Sequence, residues 1–501
     1  MMTAVLVFSA ALLFYFSFPN IVVVQGVSFL AWGCALPLFG ALEGRSWRRR
    51  LAIGMLWGLL AHGFLTAWMM PVTLGGWVLF TGALSIQGPL FALCFPSASR
   101  PVVFRLFLIP SAWVFSEWVR SIILGGFSWS LGYSQALFPE LIQPAAWGGV
   151  YLPAWIIIFV STALYLGIRG AIEGSLRRRI FMLAAVGVSL GLIVGAVRIA
   201  LAPSVTGTVR VAAVQADILR DDKVREDLYD VNVVRHLALT KKAVMAGGLG
   251  ASDLVVWPET AFTDDVLTDL KWRPRLEEAA RNLHVNMLLG SALLWEGRDL
   301  NSAVLLSAQG DWRAVYHKMR LVPFTERTPQ GFTSLARAFG VGKYHFTAGT
   351  RPGIMAFDRF KLGVVICSEE FYPDMFRSLS QARVDVAVTM LNDGWLERRE
   401  ALLLHALTAP VRAVESGLSV VRVANTGLTC AFDGYGRPVG RPLDLQRPGV
   451  MVYTVPLSSG STFYAQWGDV FALVCVVFVI ISFLIINFRY IRARLKYAPL
   501  S

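Results

Sequence analysis

The stretch KLGVVICSEEF, residues 361–371, places Cys367 directly after an apolar, strand-like run and before a predicted helix. A thiol held at such a turn is expected to be exposed, and the N-terminus of the following helix can stabilise its thiolate. Glu369 and Glu370 follow closely, and two ionised carboxylates beside a thiolate would raise its pKa. At least one of them is therefore expected to point away or to be paired with a cation or with backbone donors.

Two further motifs provide groups that could serve this thiol. Glu259 ends LVVWPE (254–259), and Lys318 stands in YHKMRLVPFTE (316–326). The carboxylate could take the thiol proton, and the ammonium could stabilise a tetrahedral oxyanion. Each residue alone has an ordinary explanation, as part of a helix cap or as a solvated lysine. Together, in this order and each after an apolar strand, they indicate acyl transfer through a thioester.

The composition indicates an integral membrane protein. The chain has 501 residues, of which 55% are hydrophobic, and its mean hydropathy is +0.56. A helix needs about 20 apolar residues to cross the hydrocarbon core. The first stretch lacks a basic leader region, so we expect it to be retained rather than cleaved. We predict eight spans, near residues 3–18, 20–41, 51–70, 75–97, 102–119, 151–168, 180–200 and 467–488.

The positive charge of the chain is concentrated in the membrane portion. Residues 202–460 hold 30 Lys and Arg against 28 Asp and Glu, which leaves 16 and 5 for the rest of the chain. This distribution argues against nucleic acid as a partner. Basic loops stay in the cytoplasm, which predicts that residues 202–460 lie outside it. The clusters are Arg45, Arg48, Arg49 and Arg50; Arg100 and Arg105; Arg169, Arg177, Arg178 and Arg179; and Arg489, Arg492, Arg494 and Lys496.

Residues 202–460 alternate short apolar strands with helical stretches, which predicts an α/β domain with buried sheets. Helices are expected near 221–246, 269–283, 372–382 and 399–415, and a late hairpin over 429–439. The expected strands are 209–218, 253–260, 285–293, 302–308, 312–318, 360–367, 384–391 and 418–425.

The cysteine and histidine patterns predict no metal site, because no CxxC pair and no HExxH occurs. Cys367 and Cys430 are the two cysteines of this domain, and an oxidising compartment would permit a disulfide between them. That pairing is the main alternative to a reactive thiol. We also hypothesise that 319–342 forms a mobile lid at the membrane surface; an ordinary polar loop is the alternative.

On these motifs the chain resembles the nitrilase superfamily, whose members use a Glu-Lys-Cys triad on an α-β-β-α sandwich. It resembles in particular the membrane-bound apolipoprotein N-acyltransferase family, which has eight spans with the nitrilase-like domain before the last one. The stretches that carry this resemblance are GGFSWSLGYSQ (125–135), VAAVQADI (211–218), WPETAF (257–262), HKMRLVPFTERTP (317–329), VVICSEEF (364–371), LNDGWL (391–396) and RAVESGLSVVRVANTG (412–427).

The resemblance implies that Glu259 is the general base, that Lys318 stabilises the oxyanion and that Cys367 is the nucleophile. Glu326 and Glu369 match further essential acidic positions of the family. The supporting or substrate-binding residues that we expect around them are Trp257, Asn392 and Trp395. The family typically has an aromatic residue where Ser368 follows the cysteine here.

The resulting prediction is a polytopic α-helical membrane domain of about eight spans joined to a nitrilase-like α-β-β-α sandwich. Residues 1–201 form spans one to seven, 202–460 the extracytoplasmic catalytic domain, and 461–501 the last span with a basic cytoplasmic tail. The resemblance implies a monomer of the bacterial cytoplasmic (inner) membrane whose catalytic domain faces the periplasm. It uses no cofactor and transfers an acyl chain from a phospholipid to the α-amine of a diacylated apolipoprotein. A membrane-tethered amidase and a non-catalytic scaffold remain the alternatives.

Overall fold

The computed structural model describes residues 1–169, 174–203, 207–328, 331, 333–334, 345–357, 359–396, 398–457 and 460–496. The chain divides into two compact units. The first comprises Met1–Ala67, Val78–Arg198 and Trp467–Ser501, and the second comprises Trp68–Trp77 and Ile199–Gln466. Much of the proposed lid, at 329–330, 332 and 335–342, lies outside the described residues, so the lid stays a hypothesis.

The first unit is helical. Within the described part of the chain, four helices are long and apolar enough to cross a membrane: Leu74–Cys94, Val102–Ile123, Tyr151–Ile168 and Arg178–Ala200. Met2–Phe16, Ser28–Leu42 and Val470–Ile485 are shorter apolar helices. The span count of about eight therefore stays a prediction. The α-helices are Met2–Phe16, Leu36–Leu42, Trp47–Leu65, Leu74–Ser85, Gln87–Cys94, Val102–Ile123, Pro139–Ile142, Ala145–Gly148, Tyr151–Ile168, Gly174–Ala200 and Val470–Lys496.

Small residues let two helices of this unit approach closely. A Cβ atom at Gly88 would lie 2.0 Å from the backbone oxygen of Gly54. Such glycine contacts are typical of helix packing in membranes, where close van der Waals contact replaces the hydrophobic effect. A side chain at Gly88 would therefore push the helices Trp47–Leu65 and Gln87–Cys94 apart.

The second unit contains two mixed sheets. The strands are β1 Thr208–Gln215, β2 Leu254–Val256, β3 Asn286–Trp295, β4 Arg298–Leu306, β5 Trp312–His317, β6 Gly353–Ala356, β7 Lys361–Ile366, β8 Val386–Leu391, β9 Ser419–Ala424, β10 Cys430–Phe432 and β11 Gly449–Pro456. The first sheet has the order β11-β1-β2-β3-β4-β5 and the second β10-β9-β8-β7-β6. Strands β1, β2 and β3 run parallel, as do β7, β8 and β9.

Strand β1 contacts β9, so the two sheets face each other, and helices cover their outer sides. Apolar side chains of β1, β2 and β3 form a core with the helices Tyr229–Gly247 and Trp272–Leu283. This arrangement agrees with the predicted α-β-β-α sandwich. Among the described residues of this unit, the α-helices are Arg220–Lys223, Tyr229–Gly247, Trp272–Leu283, Pro373–Gln381, Arg399–Ala406, Thr408–Ser416 and Phe463–Trp467.

Every strand predicted from the sequence is present, but some boundaries and elements differ. The helix predicted near 399–415 is two helices, Arg399–Ala406 and Thr408–Ser416. Proline lacks the amide proton of a helix interior, and Pro410 is accommodated in the first turn of the second helix. The long helix begins at Tyr229 rather than near 221, after the separate turn Arg220–Lys223.

Candidate active site

The three residues of the predicted triad each follow a β-strand closely. Glu259 lies three residues after β2, Lys318 directly follows β5, and Cys367 directly follows β7. Strands fix their ends better than free loops do, so side chains placed there are held in a defined geometry. A Cβ atom at Gly290 of β3 would lie 2.2 Å from the backbone oxygen of Pro258. Only glycine therefore fits beneath the turn that carries Glu259.

Hydrogen bonds join Glu259 and Lys318 to a second carboxylate. The Lys318 ammonium, which is 1% exposed, lies 3.1 Å from Glu259 Oε1 and 3.0 Å from Glu326 Oε1. The Asn301 amide donates to the same two oxygens, at 2.7 and 3.0 Å. The other oxygen of Glu259 accepts the backbone N–H of Asn392 at 2.9 Å. These contacts hold both groups in fixed orientations inside the protein.

The charges of this cluster fix its protonation. Burial opposes ionisation of Glu259, but the Lys318 ammonium and the hydrogen bond from Asn301 hold its pKa below the ordinary value. Burial likewise acts against the charge of Lys318, yet the carboxylates of Glu259 and Glu326 raise its pKa well above the ordinary value. Glu259 is therefore an ionised carboxylate and Lys318 a cation near neutral pH.

Cys367 adopts a backbone conformation that is rare outside glycine, with φ of +52°. A left-handed conformation costs a non-glycine residue about 1–2 kcal/mol, and such strain clusters at functional sites. Cys367 opens a five-residue 3₁₀ helix, Cys367–Phe371. The side chain is only 4% exposed, so the prediction of an exposed thiol is wrong: the tight 3₁₀ turn keeps it inside.

The thiol is free and protonated in this setting. Cys367 and Cys430 are both unpaired thiols, so the alternative of a disulfide between them is wrong. Burial raises the pKa of Cys367 well above its ordinary value, and the Glu259 carboxylate adds to this, while Lys318 acts in the opposite direction. A thiol of this kind needs a base before it can react as a nucleophile, and Glu259 is the ionised carboxylate that interacts most strongly with it.

Glu369 ties the turn of Cys367 to the segment that follows Lys318. Its carboxylate accepts the backbone N–H groups of Met319 at 2.7 Å, Arg320 at 3.0 Å and Ile366 at 2.8 Å. The Tyr316 hydroxyl donates to it at 2.8 Å. The expectation that at least one of the two carboxylates is paired is therefore confirmed, and this pairing fixes the turn of Cys367 against the segment that follows Lys318.

Glu370 belongs to a second charged cluster, which is fully buried. The Arg422 guanidinium donates to Glu370 at 3.1 Å and to Asp393 at 3.1 Å. His405 Nδ1 lies 3.0 Å from the other oxygen of Asp393. This cluster, Glu370–Arg422–Asp393–His405, links the turn after Cys367 to the loop that contains Asn392.

The remaining predicted residues lie near the base, although not all face it. Asn392 donates its backbone N–H to Glu259, and its amide oxygen accepts from Asn425 at 3.3 Å. The Trp257 ring is buried in the core, where it donates to Thr240 at 2.9 Å. Trp395 packs on an apolar cluster with Leu396, Ala401 and Leu402. Asn392 thus touches the base, whereas both tryptophans act in packing.

Comparisons with known proteins assign both parts of the chain. The carbon-nitrogen hydrolase family model matches residues 210–464, and that of the apolipoprotein N-acyltransferase N-terminal domain matches residues 10–163. An amidase structure from Nesterenkonia sp. is 18% identical with a TM-score of 0.40, covering 53% of this chain and 95% of its own.

Curated relatives match most of the chain. An apolipoprotein N-acyltransferase of Geobacter metallireducens is 30% identical over 483 residues, which cover 92% of this chain and 90% of the relative. One from Thermotoga maritima is 27% identical over 494 residues, covering 92% and 90%. One from Rickettsia bellii is 27% identical over 392 residues, covering 76% of each. Together with the matched family models, these relatives show that the chain is a nitrilase-superfamily protein of the apolipoprotein N-acyltransferase family.

Proposed function

We propose that the protein transfers a fatty acyl chain from a phospholipid to the α-amine of the N-terminal diacylglyceryl-cysteine of apolipoproteins, in two steps through a thioester on Cys367. Membership of the family supports lipoprotein N-acylation. The observation that supports the mechanism is the buried cluster in which the Lys318 ammonium pairs with Glu259 and Glu326. The charges of Glu259 and Lys318 both act on the Cys367 thiol.

In the first step, Glu259 takes the thiol proton and the sulfur of Cys367 attacks the carbonyl carbon of the acyl ester. The Lys318 ammonium stabilises the oxyanion that forms. The ester C–O bond then breaks, and Glu259 returns the proton to the oxygen of the departing lysophospholipid. Because Cys367 is buried, the thioester that remains is shielded from water.

In the second step, the neutral α-amine of the acceptor attacks the thioester carbonyl. Glu259 takes a proton from the amine, the C–S bond breaks, and Glu259 passes this proton to the leaving thiolate of Cys367. The products are an amide and free Cys367, so neither an oxidant nor a cofactor is consumed. All proposed groups come from a single chain, which is consistent with a monomer.

Intact-protein mass spectrometry tests this proposal. Detergent-solubilised protein incubated with phospholipid alone is expected to gain the mass of one fatty acyl group. Cys367→Ala and Glu259→Gln are each expected to prevent the gain, because one removes the nucleophile and the other the base. An unchanged wild-type mass would contradict a phospholipid-derived thioester. Ammonia released from small amides would favour the amidase alternative, and neither reaction would favour a scaffold.

We further propose that the protein lies in the bacterial cytoplasmic membrane with its catalytic unit facing the periplasm. The four basic clusters of the membrane portion support this orientation. A membrane-impermeant maleimide is expected to label Lys241→Cys on spheroplasts but Arg49→Cys only after lysis; both positions are exposed. The chain with native cysteines alone sets the background, and the reverse pattern would invert the topology.

A further inference from the structure

A second lysine, Lys223, contacts Glu259 in addition to Lys318. It ends the short turn Arg220–Lys223 between β1 and the helix Tyr229–Gly247, and it is only 7% exposed. Its ammonium donates to the backbone carbonyl of Glu259 at 2.9 Å. Lysine is almost never buried without a partner for its charge, so this position calls for an explanation.

The balance of charges around Glu259 explains why a lysine is buried here. The cluster contains the carboxylates of Glu259 and Glu326 but only the ammonium of Lys318. Among the described residues, no carboxylate oxygen lies within 4.0 Å of the Lys223 ammonium. Its interactions are instead with the charge of Glu259 and the sulfur of Cys367. Lys223 thus adds a second positive charge to the cluster, in direct contact with the backbone of Glu259.

We infer that Lys223 is a positioning residue: its ammonium holds the backbone of Glu259 in place, and its positive charge stabilises the thiolate of Cys367. This inference rests on the proposed role of Cys367 as the nucleophile. Lys223 forms no bond to substrate in this scheme. It acts through the residues that do.

The protonation of Lys223 is sensitive to pH close to neutrality. The titratable groups that face or adjoin it are Glu259, Cys367, His236, Asp221 and Asp222. Burial lowers the pKa of Lys223 to about 7, against the effects of Glu259 and Cys367. Burial lowers the pKa of His236 to about 3, so this ring stays neutral in the same range. Asp222 lies 4.0 Å from Arg225, which is exposed.

The charge of Lys223 determines how the thiolate fraction of Cys367 changes with pH. Below about pH 7 Lys223 is charged and favours the thiolate; as the pH rises through the pKa of Lys223, that stabilisation is lost. The alkylation rate of a thiol follows its thiolate fraction. The logarithm of the Cys367 alkylation rate should therefore rise with pH, flatten into a shoulder above about pH 7, and then rise again.

Two variants of Lys223 separate its charge from its hydrogen bond. Lys223→Gln keeps a donor for the Glu259 carbonyl without the charge, and Lys223→Arg keeps a charge that does not titrate. With iodoacetamide at pH 6, we expect Lys223→Gln to react about tenfold more slowly than wild type, and Lys223→Arg to match it. At pH 9 we expect Lys223→Gln to match wild type, and Lys223→Arg to react about tenfold faster. The shoulder should be absent from both.

The labelled peptide that contains Cys367 identifies the reacting thiol, and unchanged thermal unfolding shows that each variant is folded. Lys241→Met, at an exposed lysine of the helix Tyr229–Gly247, should leave the whole profile unchanged. Coincident profiles for wild type, Lys223→Gln and Lys223→Arg would overturn the inference. Alkylation requires no acyl donor, so a failed acyl-transfer assay does not affect this result. Absence of any Cys367 labelling would overturn the nucleophile and the inference together.

Discussion

The Lys318→Met variant is expected to form the acyl-enzyme at least a thousandfold more slowly than the wild-type chain. Removal of one oxyanion donor costs about 10²–10³ in rate. The loss also leaves Glu259 and Glu326 without the ammonium that lies 3.0–3.1 Å from each. Because that ammonium is a main cause of the low pKa of Glu259, the base would become partly protonated and weaker. Time-resolved intact mass with phospholipid measures the effect.

A double variant separates the catalytic effect of Lys318 from its effect on the fold. Lys318→Met alone leaves two buried carboxylates without the ammonium that bonds both of them, which destabilises the protein. Adding Glu326→Gln removes one of those charges, so thermal stability should largely recover while acylation stays slow. Recovery of the rate would mean that Lys318 only balances charge. The exposed Lys241→Met variant should match wild type in both measurements.

The sequence was sufficient to predict the strands that precede the site, and that at least one of Glu369 and Glu370 points away from Cys367 or is paired. Apolar strand runs are local signals, and β2, β5 and β7 are followed within three residues by Glu259, Lys318 and Cys367, respectively. That expectation for the two carboxylates came from electrostatics alone. It is confirmed by the contacts of Glu369 and Glu370 with backbone donors and Arg422.

Other parts of the site arise from long-range contacts that carry no local signal. Asn301 and Lys223 meet Glu259 from positions 42 and 36 residues away in the chain, and nothing around them distinguishes them from surface polar residues. Strand β11 is mostly half-buried and pairs with β1, more than 230 residues earlier in the chain, so its sequence carries no clear alternation and the strand was not predicted. Arg422 was detectable, because an arginine within the apolar run VVRVA requires a buried partner.

Replacement of Arg422 is expected to be the most destabilising single change in the catalytic unit. Arg422→Met leaves the carboxylates of Glu370 and Asp393, both fully buried, without the guanidinium that bonds them. Breaking a buried ion pair by removing one partner costs about 3–5 kcal/mol. For a unit of this size that corresponds to a fall of about 10 °C in the midpoint of thermal unfolding. Differential scanning fluorimetry in detergent measures it.

A matched variant and a compensating one define what this cluster does. Arg437→Met removes a pair with Asp433 whose arginine is 46% exposed, so it should cost less than about 1 kcal/mol. Adding Glu370→Gln and Asp393→Asn to Arg422→Met removes the uncompensated charges and should restore much of the midpoint. An equal fall for the variants at Arg422 and Arg437 would contradict a buried ionic network. Restored stability with slow acylation would indicate instead that these charges keep the turn of Cys367 and the backbone N–H of Asn392 correctly placed relative to Glu259.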